Sequence, residues 1–186
     1  MTLPNQKYRE LVFQILYSKD LVKSEDESAI LQMMMTELSV SKKNVRMALD
    51  KVNRLIQVQD AIDTMIASAS TSYDFDRIQS VTKTILRLAL FELFFEQAAP
   101  PKVVIAEAIR LSKKFCTLES SKFVNALLDY LYKSSLGDKA EITQLNEQAQ
   151  ELLNSEQAAS EAASAAQDPQ ITFVESMETE DDEHTI

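Results

Sequence analysis

Lys113, Lys114 and Phe115 close one apolar run of this chain, and Ser120, Ser121, Lys122 and Phe123 open the next. Three ammonium groups and two hydroxyls gathered at the start of a helix are suited to holding a phosphate. The first turn of a helix leaves backbone N–H groups free, and its dipole presents a positive end. A phenylalanine with one face in solvent would stack an unpaired base, so Phe115 or Phe123 would complete a site for single-stranded nucleic acid. The same residues also read as two core phenylalanines under a solvated basic rim, and the pattern by itself leans that way. Lys7, Arg9, Lys42, Lys43 and Arg46 are further basic residues at exposed-looking positions, most of them ordinary surface charge. Arg87 and Glu92 interrupt an apolar stretch and are expected to reach solvent or pair with neighbours. Asp60 and Asp63 lie three apart with no base or ligand set beside them and read as solvated.

Several chemistries are hard to write with this composition. Phosphate-cradling loops and dinucleotide fingerprints need several glycines, and the chain has one, Gly137. Cys116 and His184 are the only cysteine and histidine, so no Cys/His zinc set can be assembled, and a Cys–His nucleophile would have to join residues far apart. Cys116 reads as a buried, inert thiol. No catalytic residue, metal or cofactor is expected. A single cysteine forms no intramolecular disulfide, as in a reducing compartment. The first ten residues carry no apolar signal segment, and no apolar stretch reaches membrane-spanning length, so a soluble cytoplasmic protein is expected.

The elements that must position the lysines follow from charge and periodicity. Residues 1–137 carry 18 Lys+Arg against 16 Asp+Glu, whereas residues 138–186 carry Lys139 against 13 Asp+Glu. The formal charge of −10 therefore belongs to the tail, and the body is slightly basic. Residues 1–137 make one domain of ordinary size; 138–186 read as an acidic low-complexity tail, partly helical near 141–154 and otherwise disordered, most of all at 178–183. A nearly glycine-free body argues for helices. Apolar spacing predicts them at 5–19, 27–39, 42–68 (broken once at most), 77–97, from Pro101 to Phe115, and from about 120 to Gly137. The third is offered an N-cap at residues 39–41, and Asp74 or Asp76 can cap the fourth. The fourth, apolar on nearly all sides, should be the central strut. Ile142, Leu145, Ala149, Leu152 and Leu153 keep a narrow stripe that would let the tail dock on the body.

Taken in order, YRELVFQILYS at 8–18, VTKTILRLALFEL at 81–93, PPKVVIAEAIRLSKKF at 100–115 and ESSKFVNALLD at 119–129 resemble the bacterial NusB family of transcription antitermination factors. The resemblance covers residues 5 to about 134. It implies an all-α fold of two packed three-helix sub-bundles. It further implies binding of the single-stranded RNA element boxA in leader and ribosomal RNA transcripts, a heterodimer with NusE, and a complex on RNA polymerase that suppresses termination, with no catalysis. By residue, it implies that Lys7 and Arg9 belong to a basic N-terminal arm. Lys113, Lys114, Glu119, Ser121, Lys122 and Phe123 would form the RNA-facing link, and Tyr17 and Thr82 the NusE contact.

Three departures bear on those roles. Asn5 and Gln6 stand where the family arm is often arginine, and each lost phosphate contact lowers affinity and flattens the salt dependence. Thr82 stands where the family usually has an acidic residue. Cys116 stands where it usually has glycine, and would be strained if that position required positive φ. A helical protein-interaction module with a weakened RNA site is the alternative; the accessory domain of an RNA methyltransferase would need a separate catalytic subunit. Self-association through the RNA-facing region remains open. The acidic tail, tethered near Lys113, Lys114 and Lys122, could compete with RNA for them; a solubility tail that never settles is the alternative, and the composition leans toward it.

Overall fold

A chain with so little glycine and such regular apolar spacing folds as helix after helix. The structure, a computed structural model, describes residues 3–22, 27–137 and 142–166, so the expected disorder at 178–183 lies outside the described residues. There α1 (Asn5–Val22), α2 (Glu27–Leu38) and α3 (Lys42–Ile56) are followed by α4 (Gln59–Ala69), α5 (Ser80–Leu90), α6 (Pro101–Phe115), α7 (Leu118–Ser135) and α8 (Ile142–Ala166). No strand occurs among the described residues. None of these helices is long and apolar enough to cross a membrane.

The helices form two groups. In the first, α3 packs on α1 and α2; in the second, α5, α6 and α7 pack on one another, and α1 against α5 joins the two. The predicted helix over 42–68 is broken at Gln57–Val58, without glycine or proline. There the Val58 N–H donates to Leu55 O, tightening the last turn, and Val58 leaves helical geometry at φ −116°. The break lets Leu55 end in the first group while α4 crosses to pack on α5 and α7. Ser41 caps α3 as expected, its hydroxyl accepting from the Asn44 N–H.

The central strut is shorter than the predicted 77–97. A 3₁₀ turn, Phe75–Arg77, precedes α5, and Asp74 accepts from the Asp76 N–H to start it. At Phe91–Glu96 the strut widens into a π-helical turn, closed by the Gln97 N–H on Glu92 O at 2.9 Å and ended by Gln97 at φ +50°. Residues Ile85, Leu86, Leu88, Ala89 and Leu90 are all buried between α1, α4, α6 and α7.

The tail departs most from expectation. Helix α8 runs to Ala166 instead of ending near residue 154. Its alanine, glutamine and glutamate content favours helix, and its first half is held by burial of Leu145, Ala149 and Leu152 against α7. Beyond Glu156 the helix is exposed on every side as far as Ser164.

Candidate nucleic-acid interface

The start of α1, the link between α2 and α3, and the end of α6 enclose a groove of about 520 Å³. Lys7 and Lys114 line it together with Glu10, Gln14, Ser39 and Val40. Residues 7, 10, 11 and 14 share one face of α1 by helical spacing, which turns them all into the groove. Ser39 reaches it through a left-handed backbone, φ +51°, that ends α2 and turns the chain toward Ser41. The two lysines, distant in sequence, thus meet on one concave surface. Lys7 makes no ion pair among the described residues; Lys114 pairs with Glu10, and its ammonium also lies 5.1 Å from the centre of the Phe115 ring.

Glu10 belongs to a chain of polar contacts that fixes the edge of the groove. The Gln6 amide donates to Glu107 at 3.1 Å, Arg110 pairs with the same Glu107 at 3.0 Å, and Arg110 also donates to Gln6 O at 3.1 Å. Gln6 therefore ties α1 to α6.

At the other end of the basic surface, α6 and α7 are joined by Cys116 and Thr117 alone. Lys113 is exposed and makes no ion pair among the described residues; Lys122 is exposed and pairs with Glu151 of α8 at 2.8 Å. That partner raises the Lys122 pKa through its hydrogen bond and charge. The α7 start is less open than the sequence suggests. Thr117 Oγ1 accepts from the Ser120 N–H, and Glu119, half-buried, places a carboxylate in the positive first turn.

Four of the predicted contact residues stand elsewhere. Phe123 is wholly buried and packs on Tyr73 with ring centres 5.6 Å apart, so it has no face for a base. It sits on the inward stripe of α7 with Val124, Leu127 and Leu128. Ser121 is buried too, and its hydroxyl finds no hydrogen-bond partner among the described residues. Arg9 turns inward to Glu92 at 2.8 Å. Thr82 is buried, its hydroxyl donating to the Cys116 sulfur at 3.6 Å, so it cannot present itself to a partner protein directly. Phe115 is the half-buried ring at this end; it packs on Phe13 (4.9 Å), which stacks in turn on Tyr17 (6.0 Å). Tyr17 is half-buried, and Leu118 and Leu21 are exposed. Cys116 is only half-buried, and its backbone is extended at φ −123°, so the position does not require glycine and carries no strain. Burial raises its pKa against the lowering effect of the Thr82 hydrogen bond.

Sequence reading missed the network that receives Arg9. Lys51, buried on α3, binds Glu92 at 2.5 Å and Glu96 at 2.6 Å, and Arg54 adds a pair to Glu96 at 2.9 Å. Burial disfavours the Glu96 carboxylate, but Lys51 and Arg54 outweigh it and hold its pKa below the ordinary value. Asn5 and Tyr8 line the polar cavity of about 250 Å³ beside this network. The interruption of the strut by Glu92 was the available signal; which cations would reach it was not. Arg87 likewise pairs with Asp63 through two hydrogen bonds (2.7 and 2.8 Å) and with Asp20 at 2.7 Å, so Asp63 is a structural anchor instead of a solvated carboxylate. Asp60 is exposed, as expected.

Comparison with known proteins decides the family. The sequence profile of the NusB family matches residues 6–133. The chain belongs to the NusB family. It is 36% identical over 132 residues to the transcription antitermination protein NusB of Chlamydia pneumoniae, an alignment covering 71% of this chain and 82% of that protein. The fold is similar to that of T. maritima NusB, with a TM-score of 0.63 and 32% identity over 72% of this chain and 93% of the other. It is also similar to a chain in a crystal structure of antitermination factors NusB and NusE in complex with dsRNA, with a TM-score of 0.59 and 27% identity over 69% of this chain and 96% of that one. The NusB match takes in both lysines of the groove and the α6–α7 link; it stops before α8.

Proposed function

We propose that this chain is a transcription antitermination factor that acts in the cytoplasm without catalysis. It binds boxA-type single-stranded RNA of leader and ribosomal RNA transcripts together with NusE, and helps assemble an antitermination complex on RNA polymerase. The observation that carries the reading is the convergence of Lys7 and Lys114 on one groove in a NusB-family fold. Phosphates would run from that groove past Lys113 to Lys122. Phe115 is the ring left for a base, and Glu119 offers an acceptor to a base edge. Tyr17, with exposed Leu21 one turn further along α1, suits a protein contact; Thr82 would act on it only by holding the Cys116 turn.

Several of these cations are already paired, so RNA affinity alone should be modest and NusE should strengthen it. Titrating a boxA-containing single-stranded RNA at low and moderate salt, with and without NusE, tests this. Selective binding, tighter with NusE and weakening with salt by roughly 0.7 units of slope per phosphate contact, is the expected result. Absence of selective binding in both conditions would overturn the reading in favour of a helical protein-interaction module.

A further inference from the structure

Helix α8 lies outside the residues that match the NusB family, yet it is packed along the helix that opens the basic surface. Lys122, in the second turn of α7, meets Glu151, while Ser135 ends α7 and Ile142 begins α8. The two helices therefore run antiparallel. In that register Leu118, the first residue of α7, lies level with the residues around 155. The remainder of α8, exposed to Ser164, extends about 15 Å past the α7 start at 1.5 Å per residue. Over its length α8 carries Glu147, Glu151, Glu156 and Glu161 and no Lys or Arg. An acidic rod thus passes the point where a phosphate would approach Lys122.

The two kinds of contact α8 makes differ in strength. Its seat is buried: Leu145, Ala149 and Leu152 face α7, and Tyr73, itself in the core, donates to Glu156 at 2.5 Å. The Glu151–Lys122 pair, by contrast, is about half exposed on both sides, so water and salt screen it and an incoming phosphate can replace the carboxylate at little cost.

Resting on the RNA-binding reading above, we propose that α8 is a built-in competitor for RNA, with Glu151 occupying Lys122 in the place of a phosphate. Of the three lysines the tail was expected to contest, Lys122 alone is engaged by it among the described residues; Lys114 is held by Glu10. RNA binding then requires exchange of Glu151 for phosphate at Lys122, and the acidic overhang opposes RNA near the α7 start.

The test is RNA titration of the full chain, its Glu151→Gln variant, and both in a Lys122→Ala background, using the boxA-containing RNA. Glu151→Gln leaves the apolar seat of α8 in place, which removal of the helix would not. We expect Glu151→Gln to tighten binding about two- to five-fold at low salt, the scale of one exposed ion pair, with the gain shrinking at higher salt and absent without Lys122. Selective binding by the unaltered chain with no gain in Glu151→Gln would overturn the competitor and leave the RNA reading standing. An equal gain with and without Lys122 would overturn it as well, because the charge would then act at a distance. Failure of every form to bind selectively would overturn the RNA reading and the competitor together.

Discussion

Lys51 and Lys114 are both lysines paired with glutamate, yet one belongs to the architecture and the other to the open surface of the groove. The Lys51 side chain is 6% exposed, between Glu92 and Glu96, whereas Lys114 is 51% exposed beside Glu10. Desolvation makes the difference. A buried charge has given up its water and depends wholly on its partner, while an exposed one can trade carboxylate for phosphate with little change in free energy. The basic residues of this chain are thus sorted into structural and available ones by burial, and sequence position does not report it: Arg9 and Lys7, two residues apart, fall on opposite sides of the division.

The sharpest way to break this comparison is to remove the centre of the buried network. Glu92→Ala leaves Lys51 and Arg9 without their shared carboxylate and should destabilise the fold by about 3–5 kcal/mol, read from chemical denaturation. A cost near that of a surface substitution would mean that water reaches Lys51. Arg87→Ala, which strips Asp63 and Asp20 of their partner at a less deeply buried site, should cost about 1.5–3 kcal/mol by the same measurement.

Acid provides a third handle. Because Glu96 is held below its ordinary value of 4.5, its ion pairs contribute stability that is fully present above that value. This contribution is lost as the pH falls through the lowered one, since the unfolded chain takes up the proton first. Glu96→Gln should therefore lower stability at neutral pH and flatten the acid limb of a stability–pH curve; an unchanged acid limb would show that other carboxylates dominate it.

The smallest stability effects belong to the groove. Lys7→Ala and Lys114→Ala should each alter unfolding free energy by no more than about 0.5 kcal/mol. Each should also remove about 0.7 units from the salt slope of RNA binding. A stability loss comparable to that of Glu92→Ala would place these lysines with the architecture. Phe123→Leu sharpens the contrast from the other direction: it should reduce stability, because the smaller side chain leaves the Tyr73 ring short of packing partners, and leave RNA contacts intact, because the ring it replaces is enclosed.

Much of this molecule follows from local pattern. Glycine scarcity and 3.6-residue periodicity placed α1, α2, α6 and α7 within a few residues, and the strings at 8–18, 81–93, 100–115 and 119–129 identified the family. The same strings directed attention to the α6–α7 link, where Lys113, Lys114 and Lys122 do lie at the surface. Other features were not legible. The break at Gln57–Val58 carries no glycine or proline, and it exists because Leu55 and Ile62 belong to different packed groups. The strut ends in a π-helical turn that spacing alone could not distinguish from α-helix.

That the chain is helical, which stripes are apolar and which family it joins could all be read from residue type and from spacing within one helix. Which charges are paired and which stay open is settled by packing between helices. It sent Arg9 to Glu92, closed Phe123 and Ser121 into the interior, brought Lys7 beside Lys114 across more than a hundred residues, and set Glu151 on Lys122. Whether a lysine keeps its water depends on what packs over it, and that is a property of elements distant in sequence.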